Sequence, residues 1–292
     1  MKTIREIRDE TNEIYTKSSH YIAEVFLAIG AVVAIAKGVL DLIGVQVGLS
    51  SIVMLSVLFS PLELGMIKAS LLACDRQAKQ VKTNEFTLMG LKNYFKIFVP
   101  FVGRSLLIYV IEALILVIFI YASTGTISIL PTFLQGVLSG NLESILSNDT
   151  ITLSFGMLAG VILALVVAFF AEAYLGLSYY FVVEDEMSLG ESLSASVYCM
   201  RGNITKYIGI KLVYIIPTII ALVGVNVFSI AFRTMFQQLV AIVPGVPIVV
   251  FNLMLVVINA IVSAFLSTIL YKVKESISFA LLYRDLKNAY YE

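Results

Sequence analysis

Six long apolar stretches, each close to the length that a helix needs to cross a lipid bilayer, constrain this fold more than any other feature. They lie near residues 21–41, 49–73, 97–122, 151–183, 204–232 and 247–272. A helix rises ~1.5 Å per residue and the hydrocarbon core of a bilayer is about 30 Å thick, so roughly 20 apolar residues span it. The sequence therefore predicts an all-α fold, in which residues 1–292 form one integral membrane domain. This domain is a polytopic bundle of six transmembrane helices with amphipathic surface helices on its cytoplasmic side.

Charged residues are scarce. They make up 14% of the chain, whose mean hydropathy is +0.95. A soluble domain usually has about 25% charged residues, so most of this exterior must face membrane lipids. The net charge is zero, which argues against a nucleic-acid partner, because such a partner requires a basic face.

The distribution of Lys and Arg predicts the orientation. Fourteen of these side chains lie in or beside the connections at 1–20, 74–96, 184–203 and the tail 273–292, whereas the opposite connections hold one. Basic residues favour the cytoplasmic side, so both termini are expected there. Residues 1–20 are predicted to form an amphipathic helix along the cytoplasmic membrane surface. A cleavable signal peptide is the competing interpretation, but the four acidic residues in this segment disfavour it.

A second surface helix is predicted after Ser188. Ser188 and Glu191 match a capping box, and Leu189, Leu193, Val197 and Met200 recur at helical spacing. Gly202 is suited to end the helix, because glycine adopts left-handed backbone angles without a side-chain penalty. Similar segments at 4–22 and 84–97 favour a threefold repeat of one surface helix and two spans. The alternative is that any chain entering a membrane has a basic and aromatic border.

Charges inside the apolar stretches are the candidate functional residues, because each costs about 2.5–3.5 kcal/mol at the bilayer centre. We expect an intramembrane polar network, located in the cytoplasmic half and formed by Glu63, Lys68, Arg104, Glu172 and Lys211. Lys68 can instead reach the lipid headgroups, and a purely structural role stays open for the others.

Three further patterns bear on these candidates. In the fourth apolar stretch, small residues recur every four positions on the same side of the helix as Glu172. This pattern favours a helix-packing face on that side. Pro61 predicts a kink in the second apolar stretch beside Glu63, and Pro100 and Pro217 predict similar kinks in the third and fifth stretches. The fourth apolar stretch exceeds one crossing, so we expect it to bend near Gly176 or to project from the membrane. The prolines are Pro61, Pro100 and Pro217, and the small residues are Gly156, Gly160, Ala164, Ala168 and Gly176.

Signatures of enzymes and metal sites are missing from the sequence. It contains one histidine, His20, and no zinc-protease, phosphate-loop or serine-hydrolase motif. We therefore expect no cofactor, no metal and no catalytic activity. The acidic run 184–186 is more typical of a solvated helix border than of a cation site. Cys74 and Cys199 are expected to be free thiols, because both are predicted to lie next to the cytoplasm.

Several short motifs, taken together, resemble the YciC-like family of bacterial integral membrane proteins, a family of unknown function. They lie at residues 2–11, 61–65, 93–95, 188–203 and 283–286. The family is related to the membrane domain found with some glycerophosphodiester phosphodiesterases. The resemblance implies a six-helix protein of the bacterial cytoplasmic membrane and no particular reaction. The long segment 123–150 departs from the family pattern.

These observations favour a non-enzymatic accessory, stress or immunity component that acts through membrane lipids or through another membrane protein. The alternative is a small-solute or lipid transporter or channel that uses the charged half of the bundle. An intramembrane enzyme acting on lipids is a third hypothesis. The oligomeric state stays open.

Overall fold

A computed structural model of the chain describes residues 1–42, 59–124, 155–242 and 248–291. These residues are helical, and no strand occurs among them. The helices are α1 (Ile4–Leu42), α2 (Leu64–Cys74), α3 (Thr83–Lys92), α4 (Tyr94–Thr124), α5 (Phe155–Leu175), α6 (Ser178–Asp185), α7 (Leu189–Met200), α8 (Ile204–Ile242), α9 (Ile248–Ser267) and α10 (Val273–Tyr291). A 3₁₀ turn at Ser60–Glu63 precedes α2, and a π turn at Thr268–Lys272 joins α9 to α10.

Five helical stretches in the described residues are long and apolar enough to cross a membrane. They are Ile4–Ala36, Tyr94–Ile115, Ile162–Asp185, Ile204–Met235 and Leu253–Asn288. The predicted span at 49–73 is not among them. Its second part forms the 3₁₀ turn and α2, and residues 49–58 lie outside the described residues. The structure therefore shows an all-helical protein with five candidate spans, against the six that the sequence predicts.

The N-terminal surface helix and the first predicted span form a single helix. α1 contains 39 residues and continues through the predicted boundary near residue 20. No proline or glycine interrupts the segment before Gly30. Ile7, Ile22 and Ile29 are fully buried, so one continuous face of the helix packs against the protein on both sides of that boundary.

Two predicted kinks do not break their helices, because α4 continues through Pro100 and α8 through Pro217. A proline removes one backbone hydrogen bond. In an apolar environment the neighbouring peptide groups have no water to bond, so the rest of the helix is kept. The helix is interrupted at the position where the sequence predicts a bend, because α5 ends at Leu175 and α6 begins at Ser178.

The protein core lies around α10, where the short helices α2, α3, α6 and α7 and the adjoining parts of the long helices meet. We call this region the charged end. Its largest fully buried side chains include Phe101 of α4, Phe181 of α6 and Tyr283 of α10. Farther along the long helices, large apolar side chains are exposed, as at Ile118, Leu165 and Val227. That distribution is typical of helices whose outer surface contacts lipid.

Helix α10 replaces the C-terminal tail that the sequence predicts at 273–292. Every residue from Ile277 to Tyr283 is buried, and Leu286 is buried too, so protein surrounds this part of the helix on all sides. The burial of these side chains makes α10 a central part of the fold. Its position in the core brings its charged side chains close to other helices.

The acidic run 184–186 is paired with basic side chains; Glu186 is exposed, as expected of a solvated border, whereas Glu184 and Asp185 are half-buried. The Lys287 ammonium lies 2.6 Å from Asp185, and Arg284 contacts Glu184 and, at 2.6 Å, Asp75. Glu186 pairs with Lys96 at 3.0 Å. These contacts join α10 to α2 and α6 at the charged end.

Helix α7 has the predicted cap but a different buried face. The amide and hydroxyl of Ser188 donate to Oε2 of Glu191, at 3.0 and 2.7 Å, and Gly202 has a φ of 83°. Of the predicted apolar stripe only Met200 is buried, whereas Val197 is exposed. Small side chains form the buried face, because they allow a closer approach to the neighbouring helices. They are Ser192, Ala195, Ser196 and Cys199.

Helices α3 and α7 end in the same way. The side-chain amide of Asn93 donates to the carbonyl of Met89 at 3.0 Å, and that of Asn203 donates to the carbonyl of Cys199 at 3.1 Å. A long helix begins directly after each asparagine. The two connections therefore share this hydrogen bond but differ in length, because one residue separates α3 from α4 and three separate α7 from α8; the repeat stays a prediction. The first unit differs, because α1 continues without a break.

Candidate functional site

A cavity of about 490 Å³ lies at the charged end, between α1, the 3₁₀ turn, α2, α4, α5, α6, α8 and the junction of α9 with α10. Four of the five residues predicted to form a polar network line this cavity: Glu63, Arg104, Glu172 and Lys211. Lys272 and Glu275 complete its charged lining. Five separate segments of the sequence thus contribute charged groups to one space.

Arg104 is held in place by groups of α5 and α6. Its side chain is buried, and its Nε donates to the carbonyl of Leu175 at 3.0 Å. The guanidinium carbon lies 4.3 Å from the centre of the Tyr179 ring, which stacks on Phe101 and whose hydroxyl lies 3.0 Å from that of Ser105. Among the described residues no carboxylate lies within 4.0 Å of the guanidinium. Arg104 is therefore an oriented cation at the cavity wall.

Lys211 lies between two carboxylates. Its ammonium is 2.9 Å from Oε1 of Glu275 and 3.6 Å from Oε1 of Glu172. The hydroxyl of Tyr207 donates to the same oxygen of Glu172 at 3.4 Å. The ammonium is also 5.2 Å from the centre of the Phe279 ring. These contacts connect α5, α8 and α10, and they compensate part of the cost of placing charges away from bulk water.

The small-residue pattern before Glu172 is a packing face over the part that the structure describes. Gly160, Ala164 and Ala168 are buried, as close packing between helices requires. Glu172 itself is half-buried and borders the cavity. Gly176 continues the pattern beside Tyr207, because a Cβ atom at this glycine would lie 2.7 Å from the tyrosine ring.

Lys68 lies apart from the other predicted network residues. It borders a separate, smaller cavity of about 160 Å³ together with Asn93, Lys96 and Glu186. Five residues separate Lys68 from Glu63, which corresponds to a rotation of about 140° around a helix axis. The two side chains therefore project in different directions.

Sequence reasoning did not identify Lys272, Glu275, Tyr179 or Tyr207 as part of this site. Lys272 is the last residue of the sixth predicted span, and Glu275 lies at the start of the segment that was predicted to be a tail. The helical spacing of Val273, Ile277, Ala280 and Leu281 was the available signal that this segment is a packed helix. The two tyrosines resemble ordinary interfacial aromatics in the sequence, and only the fold places them around charged groups.

The described residues of the lining carry both signs of charge. They include the carboxylates of Glu63, Glu172 and Glu275 and the basic groups of Arg104, Lys211 and Lys272. The rest of the wall is largely aliphatic and aromatic, and it includes Phe26, Ile29 and Val33 of α1. Such a cavity can contact a ligand that carries both polar and apolar groups.

Apolar surface adjoins the cavity on α5 and α8. These two helices are joined at their charged ends by the contacts of Glu172 with Tyr207 and Lys211. Farther from these contacts, both helices have exposed apolar side chains, among them Ile162 and Leu165 on α5 and Ile216 and Val223 on α8. The same two helices thus border the charged cavity at one end and expose apolar side chains farther along.

No group of three or more His, Cys, Asp or Glu side chains suited to a metal ion occurs in the ranges that the structure describes. No protein-family model matches the chain, and neither a curated protein nor a solved structure matches it. The described part of the chain thus defines the class only: an all-helical protein with five candidate membrane-spanning helices among those residues. Membership of the YciC-like family stays a prediction from short motifs.

Proposed function

We propose that this chain is a non-enzymatic integral membrane protein that binds a membrane lipid in the cavity at the charged end. It acts as an accessory component through that contact. The observation that carries the proposal is the cavity itself, whose lining has charged groups of both signs and whose border leads to the exposed apolar faces of α5 and α8. A lipid has the same two parts.

The polarity of the cavity argues against a purely apolar ligand. Such a ligand would displace water from charged groups of the lining without replacing the hydrogen bonds that the water supplies, and burying polar groups without such bonds is costly. A small hydrophilic ligand would use the charged lining but would leave the adjoining apolar faces without a role. A lipid satisfies both, because its headgroup fits the charged lining and its chains match the aliphatic side chains.

The proposal includes the location of the protein. We further propose that the protein lies in a bacterial cytoplasmic membrane, crosses it six times with both termini in the cytoplasm, and belongs to the YciC-like family. These are the remaining parts of the proposal. They are supported by the distribution of Lys and Arg and by the five candidate spans. Reporter fusions at residue 140 and after residue 292 should lie on opposite sides of the membrane. Two fusions on one side would contradict the proposed topology.

A transporter of small solutes is a second candidate, favoured by one observation. The 3₁₀ turn at Ser60–Glu63 and the π turn at Thr268–Lys272 both border the cavity, and such irregular turns are frequent at functional sites of helical proteins. Protein-mediated flux across reconstituted vesicles that is lost in Glu172→Gln would favour a transporter. Lipid binding without flux favours the accessory role.

The experiment that tests lipid binding is native mass spectrometry of the full chain released from mild detergent. We expect a retained lipid on the wild-type protein and reduced retention on Arg104→Gln, because this variant removes the oriented cation from the wall. Lys68→Gln is the matched control, since it also removes a basic side chain but outside the cavity. A wild-type protein without retained lipid, or equal loss in both variants, would contradict the proposal.

A further inference from the structure

We infer that the headgroup bound in this cavity is zwitterionic and combines a phosphate with a primary ammonium. The phosphate contacts Arg104, and the ammonium lies among the carboxylates of Glu63 and Glu172. This inference rests on the proposed function, since it names the chemical class of lipid that the same cavity takes. Three features of the lining carry it.

The first feature is a prepared position for an anion. Arg104 is buried at the cavity wall, and two directional contacts, with the Leu175 carbonyl and the Tyr179 ring, fix its guanidinium plane. A guanidinium presents several N–H groups in a flat fork that matches the oxygens of a phosphate. The contact with the carbonyl uses Nε, so the two terminal nitrogens can face the ligand.

The second feature is a position for a cation. Glu172 receives its contacts from Tyr207 and Lys211 at Oε1, so its other oxygen, Oε2, can accept a hydrogen bond from a ligand. Glu63 borders the same cavity from the 3₁₀ turn. A primary ammonium has three N–H groups, and it can therefore donate to both carboxylates.

The third feature is the presence of both signs of charge. Among the described residues, carboxylates are as numerous in the lining as basic groups. An anionic headgroup would bring a phosphate close to Glu63, Glu172 and Glu275 and would offer these carboxylates no positive charge. A zwitterionic headgroup places each of its charges beside the opposite sign.

The test compares two phospholipids with identical acyl chains, phosphatidylethanolamine and phosphatidylglycerol, offered separately to the delipidated full chain in detergent. Binding is measured by native mass spectrometry and by the shift in the midpoint of thermal unfolding. We expect phosphatidylethanolamine to bind at least about tenfold more tightly, since one charge-assisted hydrogen bond corresponds to a factor of that order. The selectivity should fall in Glu172→Gln, which removes the negative charge but keeps the shape of the side chain. Lys68→Gln, whose side chain lies outside the cavity, should keep it.

The outcomes separate the two proposals. Equal binding of both lipids, or a preference for phosphatidylglycerol, would overturn the headgroup assignment and leave lipid binding intact. Binding of neither lipid would overturn the proposed function as well. Soluble phosphoethanolamine that displaces the lipid at equal concentration would overturn the assignment to a lipid, because the acyl chains would then contribute nothing. The wild-type comparison stands even where a variant fails to fold.

Discussion

The close contact between α3 and the segment 60–65 leads to a quantitative prediction. Two glycines allow this contact. A Cβ atom at Gly65 would lie 2.1 Å from the carbonyl oxygen of Phe86, and one at Gly90 would lie 2.6 Å from the Cα of Leu62. Both distances are to backbone atoms and are far below the ordinary contact range of 3.4–4 Å. Gly65→Ala therefore requires the two segments to separate.

The cost of that separation can be estimated from two opposing effects. Overpacking a well-packed position costs about 1–3 kcal/mol, and a backbone neighbour cannot rotate away as a side chain can. Alanine is better than glycine inside a helix by about 1 kcal/mol, which offsets part of that cost. Because the neighbour is a backbone atom, we take the upper half of the overpacking range, about 2–3 kcal/mol. After the offset, Gly65→Ala should lower the free energy of unfolding by about 1–2 kcal/mol. Lipid binding should weaken too, since Glu63 lies in the displaced segment.

The assay is unfolding in mixed detergent micelles, followed by circular dichroism, with Gly190→Ala as the control. Gly190 lies in α7, and a Cβ atom added there would meet nothing within 4 Å. This control should be unchanged or slightly more stable. If Gly65→Ala is as stable as Gly190→Ala, the close backbone approach is wrong. If Gly65→Ala is destabilised but still binds lipid, this contact supports the fold and is not needed for lipid binding.

Four further predictions concern the charged end. Ser188→Ala should destabilise the protein by about 1 kcal/mol, because its hydroxyl hydrogen bond to Glu191 at the start of α7 is lost; an unchanged unfolding midpoint would contradict this. The hydroxyl and amide of Ser188 also hold the pKa of Glu191 below its usual value, so this stabilisation is present above the pKa of the unfolded chain and is lost as the pH falls through the folded pKa. Glu191→Gln should thus be less stable than the wild type at neutral pH and equal to it in acid, and a difference independent of pH would refute the reasoning. Arg284→Lys should cost about 1–3 kcal/mol in chemical unfolding, because one ammonium cannot reproduce the fork that contacts both Asp75 and the acidic run on α6; a neutral result would show that the geometry is unimportant. Burial raises the pKa of Cys199 to about 11, so iodoacetamide should modify this thiol only after unfolding, as read by mass spectrometry, and rapid labelling of the native protein would contradict its burial.

Much of the candidate site was predictable from the sequence, because charges within apolar stretches are rare and their depth follows from residue counts. Glu63, Arg104, Glu172 and Lys211 border one cavity for this reason. The direction of a side chain depends on the rotation of its helix, which residue counts do not give. For this reason Lys68 was predicted to belong to the same polar network, although it borders a different cavity.

The elements that sequence reasoning missed depend on tertiary packing. Charged residues lie towards both ends of α10, so the segment resembles a polar tail in the sequence. Its ion pairs with α2 and α6 appear only in the fold. Glu275 was missed with it. In α1 a polar composition predicted a separate surface helix, but the buried positions Ile7 and Ile22 lie on one continuous face. Local composition can indicate where a helix is amphipathic, but it does not determine where the helix ends.

Photocrosslinking tests lipid binding in this cavity most directly. A phosphatidylethanolamine with a diazirine in its headgroup would be incorporated into bilayers that contain the full chain, irradiated, and located by peptide mass spectrometry. Crosslinks should fall in peptides that include Glu172, Tyr179 and Tyr207, and they should decrease in Arg104→Gln but not in Lys68→Gln. Crosslinks distributed over the exposed faces of the long helices, with no enrichment around the cavity, would contradict a lipid headgroup site at the charged end.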